Sequence, residues 1–470
     1  MTSPPKSRRV SKARSTVDPT QYTPFFAYRP AWGVAAEREV LHCEGTSLEG
    51  IARATGTPVY VYSRASIEAA YRGINRAFGS PRHTVCYSVK ANGNLAVLRV
   101  LANIGSSFDI VSGGELDRLA RIGVPGFRIV FSGVGKTREE IREAIRYSGK
   151  GPRGGFLQFN VESEQELAVL LSEAARNVAD GGRRTPAAIR VNPDVMAGGH
   201  PRISTGHHHH KFGVDWQQAR RLYLQHKDSP CIAWRGISAH IGSQISSVAP
   251  YRQALTRLAS YVRDLRRQGI RLETIDIGGG LGIRYTDEPA LSPSAYARAL
   301  VSIVRPLRCR LLIEPGRSIV GPAGVLLTRV LYAKQNRGKT FVVVDAAIND
   351  LIRPALYDAT HAVTPAVRRA GGASEKQIVD VVGPICESTD VLARDWPLEA
   401  VKPGDLLVIW TAGAYCSAWA SNYNARRRAA EILVEGSRFV LARSRESYDD
   451  LVRGEMLEKH GAGVRTLRRR

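Results

Sequence analysis

At 470 residues the chain is too long for one small core, and 43% apolar residues with 44 glycines and 24 prolines suit a globular α/β protein. No uninterrupted apolar run approaches the roughly 20 residues of a membrane helix, so no spanning segment is expected. The formal charge of +24 raises the question of nucleic acid, but part of the excess sits in residues 6–14 and 465–470 and no recognised binding module accompanies it, so neither nucleic acid nor membrane is expected as a partner.

The first 16 residues are basic and serine-rich but lack the apolar centre of a secretory signal, and residues 1–20 read as a disordered tail. The six cysteines, Cys43, Cys86, Cys231, Cys309, Cys386 and Cys416, show no paired spacing, which points away from zinc and disulfides and toward a reducing, cytoplasmic setting. Residues 41–47 are too short for a core of their own and are expected to join a sheet formed later in the chain. Residues 58–62 read as a strand.

From there short apolar runs alternate with segments of helical period. Strands are predicted at 84–89, 108–111, 128–132, 156–160, 187–191, 235–240, 274–277 and 311–314, with amphipathic helices such as 139–147, 162–174 and 251–268 between them. Eight such units predict a (β/α)8 TIM barrel. The pairs Arg220-Arg221 and Arg266-Arg267 read as solvated helix faces. Beyond residue 320, short strands at 325–332, 341–344, 377–382 and 405–410 predict a second, mainly antiparallel β-domain. The expected division is a piece of that domain at 21–60, the barrel at 61–319, its remainder at 320–458, and a basic tail at 459–470.

Barrel enzymes build their sites at the carboxyl ends of the strands. Lys90, Asp109, Ser132, Asn160, Asn192, His240, Gly278 and Glu314 each fall at or near such an end. In Tyr87-Ser88-Val89-Lys90-Ala91-Asn92, a partly desolvated lysine whose pKa has fallen toward neutrality suits attachment of an aldehyde. Gly278-Gly279-Gly280 would let backbone N–H groups approach a phosphate, and the carboxylate of Glu314-Pro315-Gly316-Arg317 would keep a pyridine nitrogen protonated. His240, opening His-Ile-Gly-Ser-Gln, is placed to stack on a ring, with Ser243 donating to phosphate. The cofactor these features suggest is pyridoxal 5'-phosphate.

Together these segments resemble the diaminopimelate decarboxylases, fold-type III (alanine-racemase-like) pyridoxal phosphate enzymes, over roughly residues 40 to 450. The resemblance implies that Lys90 carries the cofactor and His240 stacks on it. It also implies that Asp109 lines the cofactor pocket, and that the glycine loop, Gly316, Arg317 and Tyr415 hold the phosphate. Arg317, Arg353, Tyr357, Glu387 and Tyr415 would contact substrate. The implied reaction is decarboxylation of meso-2,6-diaminopimelate to L-lysine, with Glu314 steadying the ring and Lys90 or Cys386 returning a proton to Cα. The implied assembly is a homodimer in which Cys386 and its neighbours complete the partner's site. Arginines suit the far carboxylate of such a substrate and Glu387 its far ammonium. Related ornithine, arginine or carboxynorspermidine decarboxylases, and a silent relative of the antizyme-inhibitor kind, are the alternatives. Arg353 and Glu387 argue against the first, and the intact Lys90, Glu314, Arg317 and Cys386 against the second. The run His207 to His210 reads as native, with no catalytic metal expected. Cys416, where the family usually has glycine, and a proline-free 424–431 are expected to alter packing near Tyr415.

Overall fold

A computed structural model describes residues 18–31, 38–79, 82–148, 155–196, 211–370 and 375–456. The histidine run and nearly all of both basic tails lie outside them. Eight parallel strands close into a barrel: β1 (His83–Ser88), β2 (Ser107–Ile110), β3 (Ile129–Phe131), β4 (Gln158–Val161), β5 (Thr185–Arg190), β6 (Ile232–Ser238), β7 (Thr274–Asp276) and β8 (Arg310–Ile313). Leu311 of β8 pairs with His83 of β1 to complete the ring. These are the eight strands predicted. The intervening helices begin where a side chain can accept an N–H of the first turn, as Ser63, Asn94, Ser112, Ser163, Asp215 and Ser292 do. The helix Ala249–Arg267 buries Tyr251, Leu255, Leu258, Val262 and Leu265, a stripe at three- and four-residue spacing against the barrel.

The alternation of strand side chains decides what the barrel contains. Val85, Tyr87, Phe108, Ile129, Phe131, Ile275 and Ile313 join the main core. The alternate positions face inward, where Cys86, Val130 and Leu312 form a separate apolar cluster. Two residues further along these strands come Ser88, Ser132 and Glu314, and in β2, β4 and β7 the steps are Ser107 to Asp109, Gln158 to Asn160 and Thr274 to Asp276. The lower layer is thus apolar in β1, β3 and β8 and polar in β2, β4 and β7, while the mouth is polar in all six. Thr274 donates to Gln158 Oε1 at 2.7 Å and Gln158 to Asn160 Oδ1 at 2.8 Å, joining the layers without stranding a polar group.

The rest of the chain builds a nine-stranded, mainly antiparallel sheet around the strands Gly324–Asn336 and Val59–Ser63, which pair with each other on either side of the barrel's chain. Residues 41–47 do not join it. The strand Arg38–Cys43 pairs with Phe26–Pro30, Thr46–Ser47 and Val367–Arg369 in a four-stranded sheet of its own, anchored where Leu41 N–H reaches Ala366 O at 2.8 Å. Among the described residues no helix is long and apolar enough to cross a membrane.

Leu312→Ala should open a cavity in the small inner cluster and cost about 2–5 kcal/mol. The denaturant midpoint of the cofactor-free protein should fall with little change in slope.

Candidate active site

Lys90 lies on the turn Val89–Ala91 that directly follows β1, and its Nζ donates to Asp109 Oδ2 at 2.7 Å. Ser88 Oγ is 3.1 Å from the same carboxylate oxygen and 3.0 Å from Glu314 O. Asp109 Oδ1 is buried without a hydrogen-bond partner. A cavity of about 640 Å³ opens beside Lys90, bordered by Asn92, Glu115 and Trp419.

The lysine's expected low pKa is not what this arrangement produces. Burial pulls the ammonium's pKa down, but the carboxylates of Asp109 and Glu314 outweigh burial and leave it raised. Those carboxylates come from strands far apart in sequence, so the balance emerges only when the barrel closes. Glu314 is pushed well above the usual carboxylate range by burial first, then by Asp109 and Asp276. Burial also pushes Asp276 up, to about 6, against a hydrogen bond shared with Glu314, the N–H of Gly278 at 2.9 Å and Asn160 Nδ2 at 3.1 Å. Glu314 and Asp276 therefore share a proton at neutral pH. Asp276 was not singled out from sequence, although an acid inside the apolar run Thr274-Ile275-Asp276-Ile277 was a signal for it.

His240 follows β6, and its Nδ1 accepts the N–H of Gly279 at 3.2 Å. Burial, then Arg190 and Lys90, hold its pKa well below the usual value, so the imidazole is neutral with its proton on Nε2. The glycine loop has no room for side chains. A Cβ at Gly279 would lie 2.1 Å from Glu314 O, and one at Gly280, where φ is +95°, would lie 2.3 Å from Gly242 O.

Arg317 begins the short helix Arg317–Val320 after Gly316. Its Nη2 donates to Ser243 Oγ at 3.1 Å, its Nη1 to the hydroxyl of Tyr285, and its guanidinium lies 4.8 Å from the Tyr415 ring centre. Ser243 here accepts from arginine. Arg353 Nη1 donates to His361 Nε2 at 2.7 Å, and His361 in turn donates through Nδ1 to Trp410 O at 2.8 Å. The Arg353 guanidinium sits 4.3 Å from the Tyr285 ring centre. Both arginines are buried, and among the described residues neither forms an ion pair with a carboxylate. Arg317 Nε has no hydrogen-bond partner. Tyr285 and His361, which fix these guanidiniums, went unnoticed in the sequence because no motif or period surrounds them. Tyr357 is half-buried, its ring 5.9 Å from that of Trp419.

Cys386 and Glu387 stand apart. Both are exposed; Cys386 N–H reaches Asn424 Oδ1 at 3.3 Å, and Glu387 accepts from Tyr423 at 2.6 Å. No hydrogen bond or ion pair among the described residues joins them to Lys90 or the arginines.

An unpartnered carboxylate oxygen beside an amine, a side-chain-free glycine loop and two uncompensated guanidiniums form a cradle that fits a phosphate-bearing aldehyde with a basic ring nitrogen. Residues 64–321 match the family described as "Pyridoxal-dependent decarboxylase, pyridoxal binding domain". The chain is 47% identical to the diaminopimelate decarboxylase of Pseudomonas fluorescens over 417 residues, 89% of this chain and 97% of that one. Its fold is similar to diaminopimelate decarboxylase from Helicobacter pylori complexed with L-lysine, with TM-score 0.80, 38% identity, and 86% and 98% of the two chains covered. The enzyme from M. jannaschii in co-complex with L-lysine gives TM-score 0.83 at 34% identity, over 92% and 98%.

Asp276 has its pKa raised on folding from 3.8 to about 6, so its contribution to stability is fully present below pH about 4 and is lost as pH rises through about 6. Asp276→Asn keeps a neutral side chain throughout. Relative to wild type, the cofactor-free variant should therefore gain stability between about pH 5 and about pH 7.5, by about 1 kcal/mol, in denaturation series at the two pH values.

Proposed function

The chain belongs to the diaminopimelate decarboxylase family of pyridoxal-dependent enzymes, and on that premise we propose that it converts meso-2,6-diaminopimelate to L-lysine and carbon dioxide with Lys90 as the attachment point. The observation that carries this reading is the pairing of the Lys90 amine on Asp109 with two buried guanidiniums that lack carboxylate partners. An amino acid with carboxylates at both ends supplies what those guanidiniums lack.

Pyridoxal phosphate, when bound, supplies an aldehyde that condenses with amines and a pyridinium ring that accepts the electron pair left behind by departing carbon dioxide. The protein does the rest. Lys90 is held as an ammonium, and Asp109 Oδ2 at 2.7 Å is the nearest acceptor for the proton it must shed before it can act as a nucleophile. Glu314 and Asp276 hold one proton between them at the base of the mouth, ready for a basic ring nitrogen. Neutral His240 presents an uncharged imidazole and fixes the glycine loop through the Gly279 N–H, while the lack of side chains at Gly279 and Gly280 keeps the loop open to a phosphate. His361 and Tyr285 hold Arg353 and Arg317 as pre-aimed carboxylate receptors, so little side-chain entropy remains to be lost on binding. Tyr415, whose ring lies 4.8 Å from the Arg317 guanidinium, and Tyr357, whose ring lies 5.9 Å from that of Trp419, would border the substrate.

Cys386 and Glu387 are exposed in a single chain, which supports a homodimer in which each completes the other's site. Glu387 would there receive the substrate's far ammonium, and Cys386 is one of two groups, with Lys90, placed to return a proton to Cα. The six free cysteines support action in a reducing cytoplasm. The pairing of Val59–Ser63 with Gly324–Asn336 supports treating the barrel as an insertion between two pieces of a second domain.

Lys90→Ala should abolish covalent cofactor attachment and carbon dioxide release from meso-diaminopimelate; full activity in that variant, or turnover of ornithine in preference by the wild type, would overturn the proposal. Mixing inactive Lys90→Ala and inactive Cys386→Ala chains at equal ratio, with subunit exchange, should restore about a quarter of wild-type activity, because half the dimers are mixed and each carries one intact site. No recovery from exchanged dimers would show that Cys386 serves its own chain.

A further inference from the structure

The opposite end of the barrel, where the strands begin, carries a cavity of about 500 Å³ lined by five arginines, Arg82, Arg235, Arg266, Arg308 and Arg310, and a single carboxylate, Glu273. Four net positive charges thus converge on one concavity, far more than a solvated face requires.

The backbone is shaped to aim them. In β6 the pairing with β5 slips between Trp234 and Gly236, so Arg235 is an extra residue in the strand, and such a bulge redirects a side chain. Arg308 holds φ at +55°, a left-handed conformation uncommon outside glycine, just before β8. Three of the guanidiniums are tethered by one edge to backbone carbonyls: Arg82 Nη1 to Arg308 O at 3.0 Å, Arg310 Nη1 to His83 O at 3.0 Å, and Arg266 Nη2 to Leu307 O at 2.6 Å. Arg266 is therefore part of a built surface, whereas the sequence pattern read it as a solvated helix face. Arg235 Nε lies 3.1 Å from Glu273 Oε2 but outside hydrogen-bond geometry, which leaves that buried N–H without a hydrogen-bond partner.

Like charges held at this spacing repel unless a counter-ion lies among them, and guanidinium forks match phosphate oxygens bidentately. The volume falls in the ~300–1,000 Å³ range of small-molecule pockets and exceeds the needs of one phosphate. We propose that this cavity binds a small multivalent oxyanion of the polyphosphate class, of the size of a di- or triphosphate group. Its ligands lie on β6 and β8 and just before β1, so occupancy staples the seam where β8 meets β1.

The test uses the cofactor-loaded full chain, titrated calorimetrically with inorganic phosphate, pyrophosphate and tripolyphosphate at about 0.15 M salt. Tripolyphosphate should bind at one site per chain, at least about tenfold tighter than inorganic phosphate, and raise the melting temperature. Arg235→Gln, and the double variant Arg82→Glu with Arg308→Glu, should each weaken it at least about tenfold, while reversing Arg220 and Arg221 to glutamate should not. If the double variant fails to fold, Arg235→Gln and Arg82→Gln carry the comparison. Absence of binding up to about 1 mM, equal affinity in the cavity variants, or an equal loss in the Arg220 and Arg221 control overturns the proposal. None of these outcomes bears on diaminopimelate turnover, which is measured separately.

Discussion

One ammonium faces three buried carboxylates at the mouth of the barrel, and the arrangement of the site follows from how that imbalance is resolved. With Asp109, Asp276 and Glu314 all ionised around Lys90, two negative charges would remain in a region where isolated charge is costly. The protein keeps a proton on the Glu314–Asp276 pair and supplies Asn160, the Gly278 N–H and Ser132 as further donors. Some ångströms away, Arg317 and Arg353 are buried without counter-ions. The site is therefore divided into an anionic base and a cationic flank, which is the charge pattern a cationic ring and an anionic phosphate or carboxylate would require.

The second sheet matters because it presses the cationic flank onto the barrel. Tyr415 N–H reaches Ala91 O at 2.8 Å, and Asn92 Nδ2 reaches Gly413 O at 3.1 Å, so the turn that carries Lys90 is clamped from the other side. The approach is close enough that a Cβ at Gly413 would lie 1.8 Å from Val320 O. Tyr415 itself holds φ at +56°, and its ring is thereby set against Arg317. A barrel with an independent neighbour could not fix a guanidinium in this way.

The barrel was legible because two periods coincide. Short apolar runs alternate eight times with segments of helical period, and a polar residue or glycine recurs at or near the carboxyl end of the runs, from Lys90 to Glu314. What was not legible depends on contacts between distant segments. Tyr285 and His361 sit in irregular stretches and acquire meaning only because Arg317 and Arg353 converge on them. That the strand Arg38–Cys43 belongs to a separate sheet was not legible because one of its partners, Val367–Arg369, is a three-residue strand too short to announce itself. The state of Lys90 was misjudged for the same reason: the carboxylates that raise it, Asp109 first and then Glu314, come from two other strands, and a local reading weighs burial without the carboxylates that burial brings together.

The exposed residues complete the logic of specificity. A substrate with an amino acid at each end needs a carboxylate for its far ammonium. At the mouth Asp109 is held by Lys90 and Ser88, and Asp276 and Glu314 by each other. The cationic flank offers arginine alone. On the proposed reading that charge is supplied by Glu387, exposed and touched by the Tyr423 hydroxyl, from a second chain. On that account the arginines of a single chain would receive the carboxylates of a two-ended amino acid, and recognition of its far ammonium would be added where two chains meet.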